Sequence, residues 1–568
     1  MKPGSSIMNG ALRKTAVFLA LIAVLLTGAL LYFKKNKLSD FNPLVREKLQ
    51  SLVSTASGGL YRLTFDTLIA DVVNSTVLMN NVQLIPDTIF AARLDSIGRR
   101  PADIFTISLK QLKVEGINID DFLSNKKIDL DVLYLQDPSL RIDHKKTQGV
   151  VPKEDTASVQ TVYQLIAAQM NRVAVKKIFI QHMNVDHHSF TKDGNKSASH
   201  FNDVNIQFDD VLIDSVTQYD STRFLYAKNA NIFMSKLQFP TADSLYLVDL
   251  DTASIDAARR QLTVASLTLR PKDSKEAFEK KLAFVKERYN VTLDQIAFND
   301  IDWWSLVSDE SFEAHDAVIG KAKIDVYTDR RLPPYPKSKV GRYPSQVVMK
   351  SPLLLNIPKI TIADCSVIYT EVNAKTGSQG KITFDNCQGT ITNVTNDSNT
   401  IQVNPYLKIT AKGKLMNTGD IQAGFSFDMR KYEKGVFTVD MSLGQMDATI
   451  LNSVTQPLGL FKIESTQIQS LSAHIDGTDY NGKGKIKFIY SGMKIEILKD
   501  EGDGTQKKKG FLSFIANAFI IKDANESATK TATYTRDIHK SFFSVIWKTI
   551  LIGILKTIGY EEGADNVK

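Results

Sequence analysis

The chain has 568 residues, of which 43% are hydrophobic and 23% are charged. This is the composition of an ordinary folded protein, long enough for several domains or for one extended repetitive domain. The net charge of +8 would suit nucleic acid or an anionic membrane. Lysines and arginines are spread along the whole chain, however, rather than gathered into one basic stripe. We therefore expect no nucleic-acid partner.

The chain contains only two cysteines, which excludes a disulfide-stapled scaffold and a thiolate metal cluster. Cys365 and Cys387 lie in consecutive strand-like segments that are separated by the turn KTGSQG. This turn would bring the two side chains within a few residues of cross-strand register. The sequence leaves two possibilities open: a disulfide in an oxidising compartment, or two buried free thiols.

A run of nineteen residues without a charge, Thr15–Phe33, follows the short N-terminal segment. At about 1.5 Å per residue, a helix of this length nearly matches the apolar thickness of a bilayer. We predict a cytoplasmic N-terminus at residues 1–14, a single transmembrane anchor in the uncharged run and a linker helix at residues 34–59. The remainder of the chain would lie on the exported side. A cleaved signal peptide is the alternative, because Thr27 and Ala29 could form a small-residue cleavage site.

From residue 60 onward, short segments alternate apolar and polar residues, as in LYRLTFDTL, KIDLDVLYL and QLTVASLTL. These segments are rich in β-branched and aromatic residues and are bounded by Asp, Asn, Gly and Pro. The turn signals are closely spaced, which predicts an antiparallel meander rather than βαβ units. The expected fold class is mostly β, with a few short helices.

An internal repeat organises these strands. The segment Leu60–Pro86 aligns without a gap on Leu245–Pro271, at an offset of 185 residues. We predict a first β repeat at residues 60–243, a second at residues 244–430 and a C-terminal β region at residues 431–535. Neither copy looks able to bury its own apolar face, so we expect the copies to stack into one continuous elongated sheet.

Three features of the chain resemble a known family. After the uncharged run, the helix-like segment PLVREKLQSLVSTAS precedes the Gly58-Gly59 break and the strand LYRLTFD. A strand, an Asn-rich turn and another strand follow in VVNSTVLMNNVQLIP. An apolar strand, a small-residue hairpin and a Gly-rich strand occupy Pro457–Leu498. In these features the chain resembles the AsmA family of Gram-negative envelope proteins, which is similar to chorein-type bridge proteins.

The resemblance implies an elongated, curved antiparallel repeat sheet that forms an open hydrophobic groove. It also implies an inner-membrane protein with its bulk in the periplasm, which binds or conducts phospholipid and supports outer-membrane lipid homeostasis. The alternating pattern agrees, because a sheet with one apolar side needs a second layer or a ligand to cover it. The side of each strand that lines the groove is left open. The candidate lining residues are Leu63, Phe65, Val248, Leu250, Ile324 and Val326.

A different class of function is an envelope scaffold that binds outer-membrane assembly factors through its sheet edges. Co-purifying phospholipid would favour lipid binding, whereas a stable protein partner and no lipid would favour the scaffold.

The C-terminal region at residues 536–568 contains an apolar segment, Ser541–Gly559, whose polar residues cluster on one side. Lys548 near its centre disfavours a second membrane span, because a charge there costs ~3 kcal/mol. We predict an amphipathic helix that lies on a membrane or closes the end of the groove, with internal packing as the alternative. The predicted membrane contacts are Phe542, Phe543, Trp547 and Ile550.

No catalytic or metal site is predicted. The segment GTDYNGKG comes nearest to a phosphate-binding loop, but Gly484 stands where a Ser or Thr should hold magnesium. A polar hairpin tip explains the only histidine cluster as well as a metal does. This cluster consists of His182, Asp186, His187 and His188. Because no other catalytic pattern occurs in a fitting context, we expect neither enzymatic activity nor a cofactor.

Overall fold

The structure is a computed structural model that describes residues 43–559, except for residues 72, 102, 118–124, 146–162, 165–166, 168–169, 191–195, 242, 309–310, 460, 499–523 and 525–527. The predicted anchor and the segment before it fall outside the described residues. Within the described part of the chain, no helix combines the length and the apolarity that crossing a bilayer requires.

Strands make up 58% of the structure and form one mixed sheet of 23 strands with few short helices, which confirms the prediction of a mostly β fold. The chain divides into two compact units. Unit 1 contains the described residues up to Phe239, together with Asp249–Ala265 and Asp300–Glu310. Unit 2 contains Pro240–Val248, Ser266–Asn299 and the described residues from Ser311 onward.

Within its described residues, unit 1 holds the first strands and several helices. The helices are α1 (Pro43–Ala56), α2 (Thr88–Ser96) and, later in the chain, α4 (Trp303–Ser308). A short 3₁₀ turn lies at Thr217–Tyr219. The strands are β1 (Tyr61–Thr64), β2 (Thr67–Asp71), β3 (Thr76–Pro86), β4 (Asp103–Glu115), β5 (Lys127–Gln136), β6 (Ser139–Lys145), β7 (Arg172–Phe190), β8 (Lys196–Asp214) and β9 (Ala227–Pro240). Two further strands, β10 (Tyr246–Asp256) and β11 (Gln261–Pro271), contribute residues to both units.

Unit 2 holds the remaining elements. Its helices are α3 (Lys275–Lys280), α5 (Pro344–Met349), α6 (Ser398–Val403), α7 (Asn452–Val454) and α8 (Phe542–Thr557). Short 3₁₀ or π turns lie at Met429–Lys434, Ala448–Leu451 and Thr455–Gly459. The strands are β12 (Arg288–Asn299), β13 (Ser311–Glu313), β14 (Asp316–Asp329), β15 (Leu354–Val372), β16 (Gln379–Thr395), β17 (Tyr406–Leu415), β18 (Gly419–Asp428), β19 (Phe437–Leu443), β20 (Met446–Asp447), β21 (Phe461–Gly477), β22 (Asn481–Ile497) and β23 (Thr529–Thr535).

The expectation of a purely antiparallel sheet is wrong. β5 and β6 both pair with β7 in the parallel sense, and β13 and β14 both pair with β15 in the parallel sense. A parallel pair requires the chain to return to its starting end, which takes a connection of a dozen or more residues. Residues 146–171 and 330–353 make these two connections. Side chains alternate in the same way in both kinds of pairing, so the alternation could not distinguish them.

The repeat found in the sequence is also visible in the strand lengths. β3 and β11 each have 11 residues, and their first residues, Thr76 and Gln261, are 185 positions apart. β7 and β15 each have 19 residues, and their first residues, Arg172 and Leu354, are 182 positions apart. In both copies a helix follows the 11-residue strand, and a parallel connection precedes the 19-residue strand.

Residues in the left-handed conformation interrupt the alternation of side chains within the long strands. In β12, Phe298 and Ile296 alternate in one phase, whereas Leu293 and Val291 alternate in the other. Gln295 stands between the two pairs in the left-handed conformation, with φ of 56°. β12 gains no residue relative to β14 at this point, because Gln295 stands opposite Gly320, so the change of phase coincides with the left-handed residue itself. In β16 a left-handed residue, Asn386 with φ of 51°, does lie at a bulge, because the register with β17 shifts between Asp385 and Gln388.

The core of unit 1 lies between α1 and its strands. Leu49 of α1 is buried in one apolar cluster with Leu63 and Phe65. Arg46 donates hydrogen bonds to the carbonyl oxygens of Phe65 at 2.8 Å and of Asp66 at 2.9 Å. Its guanidinium carbon lies 4.6 Å from the centre of the Phe65 ring. These contacts hold α1 against the end of β1.

The core of unit 2 is centred on α8, which packs against β21, β22 and β23. Ile475, Ile486 and Val545 are fully buried in this cluster. The helix approaches the sheet closely at Gly553, where an added Cβ atom would lie 2.5 Å from the Cβ atom of Ile486. This end of the sheet is therefore closed by a well-packed second layer.

A buried ion pair fixes the segment before α8. Arg536 Nη1 lies 3.1 Å from Asp479 Oδ1, and the two side chains are 1% and 0% exposed. The Tyr343 hydroxyl donates to the carbonyl oxygen of Thr478 at 3.0 Å, and Gln346 Nε2 donates to Asp479 Oδ2 at 2.5 Å. The turn between β21 and β22 is thereby joined to the connection between β14 and β15.

Candidate functional site

One face of the unit 2 sheet carries apolar side chains in continuous rows across neighbouring strands. Residues that pair directly across strands project from the same face of a sheet. The first row, followed from β12 to β23, consists of Phe298, Ala317, Ile360, Ile391, Ile409, Phe425, Val439, Ile475, Gly484 and Ala532. The second row, from β12 to β22, consists of Ile296, Ile319, Ile362, Gly389, Ala411, Ala423, Met441, Ala473 and Ile486. We call the side that carries these rows the apolar face.

The opposite side of the sheet is polar from β15 onward. Thr361 pairs with Thr390, which in turn pairs with Thr410. The hydroxyl oxygens of Thr390 and Thr410 are 2.7 Å apart. Further along the same row, Asp440 Oδ1 lies 2.7 Å from Nδ1 of His474, and this carboxylate raises the pKa of His474. From β15 onward the sheet therefore has one polar side and one apolar side.

Burial changes along the first apolar row. Ile475 and Ala532, at the end that α8 covers, are 0% exposed. Ile360, Ile391 and Ile409, on β15 to β17, are only half-buried. Part of each of these branched side chains therefore meets solvent. An apolar surface of this kind is the usual mark of a site that binds a partner or ligand.

Two of the predicted groove residues lie on the apolar face of unit 2. Ile324 pairs with Val291 on β12 and with Val367 on β15. Val326 pairs with Tyr369 on β15. Both Ile324 and Val326 are half-buried.

The other four predicted groove residues lie in the core of unit 1 or on β10. Leu63 is 6% exposed and Phe65 is 3% exposed, and both belong to the core of unit 1. Val248 and Leu250 are half-buried residues of β10. The six residues thus do not form one site within either unit.

The two cysteines lie directly opposite each other on β15 and β16, closer in register than the sequence implied. Both thiols are free and half-buried. Burial raises the pKa of Cys365 to about 11, with further contributions from Cys387 and Asp364. Burial, followed by the charge of Asp385, also raises the pKa of Cys387. Thiols in this state are poor nucleophiles at neutral pH.

The predicted C-terminal helix is present as α8, and its four candidate membrane residues fall into two pairs. Phe542 and Ile550 are 8% and 9% exposed within the core of unit 2, so the structure assigns them to internal packing. Phe543 and Trp547 are 66% and 51% exposed. Because residues four positions apart lie on the same side of a helix, this second pair forms a small aromatic surface.

A group of charged side chains lies beside the apolar face, and sequence reasoning did not identify it. On β15, Glu371 follows Tyr369 by two residues and so projects from the same face. Arg330 Nη2 donates to Glu371 Oε2 at 3.0 Å, and the Tyr369 hydroxyl donates to the same oxygen at 2.5 Å. Lys339 Nζ lies 2.5 Å from Glu287 Oε1.

Two lysines from the C-terminal segment complete this group. The backbone N–H of Lys339 donates to the carbonyl oxygen of Ile538 at 2.7 Å, which places Lys540 close by. Burial lowers the pKa of Lys540, and the positive charge of Arg330 lowers it further. Burial also lowers the pKa of Lys548, and Lys540 and Arg330 add to the effect. We call Arg330, Lys339, Lys540 and Lys548 the cationic cluster.

The histidines of unit 1 pair individually with aspartates. His182 Nδ1 lies 2.7 Å from Asp203 Oδ1, and His188 Nδ1 lies 3.1 Å from Asp143 Oδ1. Asp186 accepts from His200 rather than from its neighbours in sequence. In the part of the chain that the structure describes, no group of three or more candidate ligands could hold a metal ion.

No protein-family model matches the chain, and no curated protein sequence matches it significantly.

Proposed function

We propose that this protein is a membrane-anchored lipid-binding protein and that the apolar face of unit 2 holds acyl chains. The observation that carries the proposal is the partial exposure of the first apolar row on β15 to β17, next to an end of the same row that α8 covers completely. A folded protein gains nothing from leaving such a row in water. A bound acyl chain would cover it.

Magnitudes support this assignment. Removing an acyl chain of roughly 16 carbons from water is worth about 12 kcal/mol, at ~0.8 kcal/mol per CH₂ group. With a strand spacing of ~4.8 Å, a row that crosses ten strands runs roughly 43 Å along the sheet. One leaflet contributes roughly 15 Å to the apolar thickness of a bilayer, so the row is longer than a single acyl chain.

The wider proposal follows the AsmA resemblance. The protein would be anchored in the inner membrane by residues 15–33, with its bulk in the periplasm. Its repeated strands would form an elongated, curved groove that binds or conducts phospholipid and supports outer-membrane lipid homeostasis. The parts of this proposal that rest on described residues are the repeated strands and the one-sided apolar rows.

The aromatic surface of α8 has a place in the same proposal. Phe543 and Trp547 are exposed, and Lys548 Nζ lies 4.7 Å from the centre of the Trp547 ring. Aromatic rings beside lysines are favoured at the boundary between lipid headgroups and acyl chains. We assign this surface to contact with a membrane from which lipid is received or to which it is delivered.

The experiment that tests the proposal compares two adjacent positions on β17. A photoreactive benzoylphenylalanine replaces Ile409 on the apolar face in one sample and Thr410 on the polar face in the other. Irradiation of membranes that contain the full chain should crosslink phospholipid at position 409 and not at position 410, as read by mass spectrometry.

Equal labelling at the two positions, or none at either, would contradict lipid binding on this face. If position 409 instead captured a protein of the envelope, the scaffold function would replace lipid binding.

A further inference from the structure

We propose that the cationic cluster binds the phosphate group of an amphiphile whose apolar chain lies on the apolar face. This inference rests on the proposed function and deepens it, because it names the side chains that would hold the phosphate of the bound lipid.

The first argument is the position of the cluster. Glu371, which accepts from Arg330, follows Tyr369 by two residues on β15, and Tyr369 pairs with Val326 of the apolar face. Lys540 precedes Phe542 by two residues, and the Phe542 ring lies 6.3 Å from the ring of Phe425 in the first apolar row. The cations therefore stand beside the same face that carries the apolar rows.

The second argument is the balance of charge. Four cations meet three carboxylates: Glu371 pairs with Arg330, Glu287 pairs with Lys339, and the charge of Asp537 acts on Lys540. No carboxylate in the described part of the chain pairs with the ammonium group of Lys540. The lowered pKa values of Lys540 and Lys548 show that burial and like charges disfavour their charged forms. An anion placed among them would relieve this repulsion.

The third argument is the chemistry of the donors. Arg330 offers a planar guanidinium that suits two oxygens of a phosphate at once. The lysines add flexible point charges, and the Tyr369 hydroxyl, now bound to Glu371, lies beside them. A phosphate has enough oxygens to accept from several of these groups. A neutral headgroup would leave their charges uncompensated.

The test uses the full chain in detergent micelles with two photoreactive probes that carry identical acyl chains, phosphatidylglycerol and diacylglycerol. The variant Lys540→Gln removes the charge without a carboxylate partner. The matched control is Lys485→Gln, which removes a lysine charge from the polar face of β22. Lys548→Gln is the second variant, in case Lys540→Gln lowers the amount of folded protein. Inorganic phosphate, titrated alone, tests whether a free phosphate is the ligand.

We expect wild type to capture phosphatidylglycerol about tenfold more efficiently than diacylglycerol, which is the effect of losing one charge-assisted hydrogen bond. Lys540→Gln should remove this preference, and Lys485→Gln should keep it. Equal capture of the two probes by wild type would overturn the phosphate site but leave acyl-chain binding intact. Capture of neither probe would overturn the proposed function itself. Inorganic phosphate that binds as tightly as the lipid would overturn the assignment to an amphiphile.

Discussion

Two regions of the unit 2 sheet, β15 to β17 and β21 to β23, carry the same kind of apolar row but differ in how completely it is buried. On β21 and β22, under α8, residues alternate between fully buried and exposed, and Ile475 and Ile486 are 0% exposed. On β15 to β17 the same row continues through Ile360, Ile391 and Ile409, which are only half-buried. The sequence pattern is equally apolar in both groups of strands. The difference lies in what covers it.

The covered end shows how this sheet is closed when the chain itself supplies a second layer. α8 brings apolar side chains and Gly553 close to β22, and the Arg536–Asp479 pair holds the segment before the helix. β15 and β16 carry the same apolar rows, and the helical elements that contact them in the part of the chain that the structure describes are short: α5, α7 and the turn Thr455–Gly459. Protein therefore covers the part of the row beneath α8 completely and the part on β15 to β17 incompletely, which is the difference on which the proposed ligand site rests.

The largest loss of stability is expected when the buried Arg536–Asp479 ion pair is removed. Asp479→Ala should lower the free energy of unfolding by about 3–5 kcal/mol, because it leaves the buried charge of Arg536 without its partner. Chemical denaturation measures the change. Asp476→Ala, on the same hairpin but 71% exposed, is the control and should change stability by less than about 0.5 kcal/mol. Equal losses in the two variants would contradict a structural role for the buried pair.

The next prediction compares the loss of stability caused by the same substitution at two positions of the first apolar row. Ile475→Ala, beneath α8, should cost about 3 kcal/mol, because it empties space in a close-packed core. Ile409→Ala should cost about 1 kcal/mol in lipid-free protein, because its side chain already meets solvent. Urea unfolding curves of both variants give the two values. A loss at Ile409 as large as that at Ile475 would show that protein covers both positions equally.

A smaller effect on stability is expected at α3. This helix packs on the side of β14 opposite the apolar face, where Lys275 lies over the Tyr327 ring. Burial, followed by the charge of Asp329, raises the pKa of Glu279 from 4.5 to about 7. The stability that comes from protonated Glu279 is therefore full below about pH 4.5 and is lost as the pH rises through about 7.

Glu279→Gln should accordingly raise the free energy of unfolding by about 1 kcal/mol at about pH 8 and leave it unchanged at about pH 4. Thermal unfolding at the two pH values measures this, with the exposed Glu276→Gln on the same helix as the control. Stabilisation of the same size at both pH values would contradict the assignment.

The last prediction concerns the rate at which the thiol of Cys365 on β15 reacts, which reports on how well this strand is covered. A pKa of about 11 in place of 9.0 lowers its thiolate fraction roughly hundredfold, so iodoacetamide should label it that much more slowly than in unfolded protein. Bound lipid should slow the labelling further. Cys365 pairs with Ala322, which lies between Ile319 and Ile324 of β14, so a lipid on the apolar face would cover the thiol. Peptide mass spectrometry follows the site. Labelling as fast as in the unfolded chain would contradict the buried state of this thiol.

Local patterns in the sequence predicted much of this architecture. Alternating apolar and polar residues identified the strands, and the offset of 185 residues identified paired elements such as β3 and β11. The uncharged run of apolar residues near the C-terminus identified α8. Each of these features depends on neighbours in sequence or on a simple repeat, which is why a single chain reveals them.

Other features depend on distant parts of the chain and left no local signal. The parallel pairing of β14 with β15 follows from a 24-residue connection, residues 330–353, that reads as a loop. Phe542 and Ile550 looked like membrane contacts, because nothing in their sequence shows that β21 to β23 cover them. The cationic cluster joins Arg330 to Lys540, which only the fold brings together.

The central claim, that lipid covers the apolar face of unit 2, is tested most directly by native mass spectrometry of the full chain released from detergent. The account predicts that wild type and Thr410→Asp, altered on the polar side, carry bound phospholipid, and that Ile324→Asp folds but carries none. Lipid-free wild type, or an Ile324→Asp variant that retains as much lipid as Thr410→Asp, would contradict it.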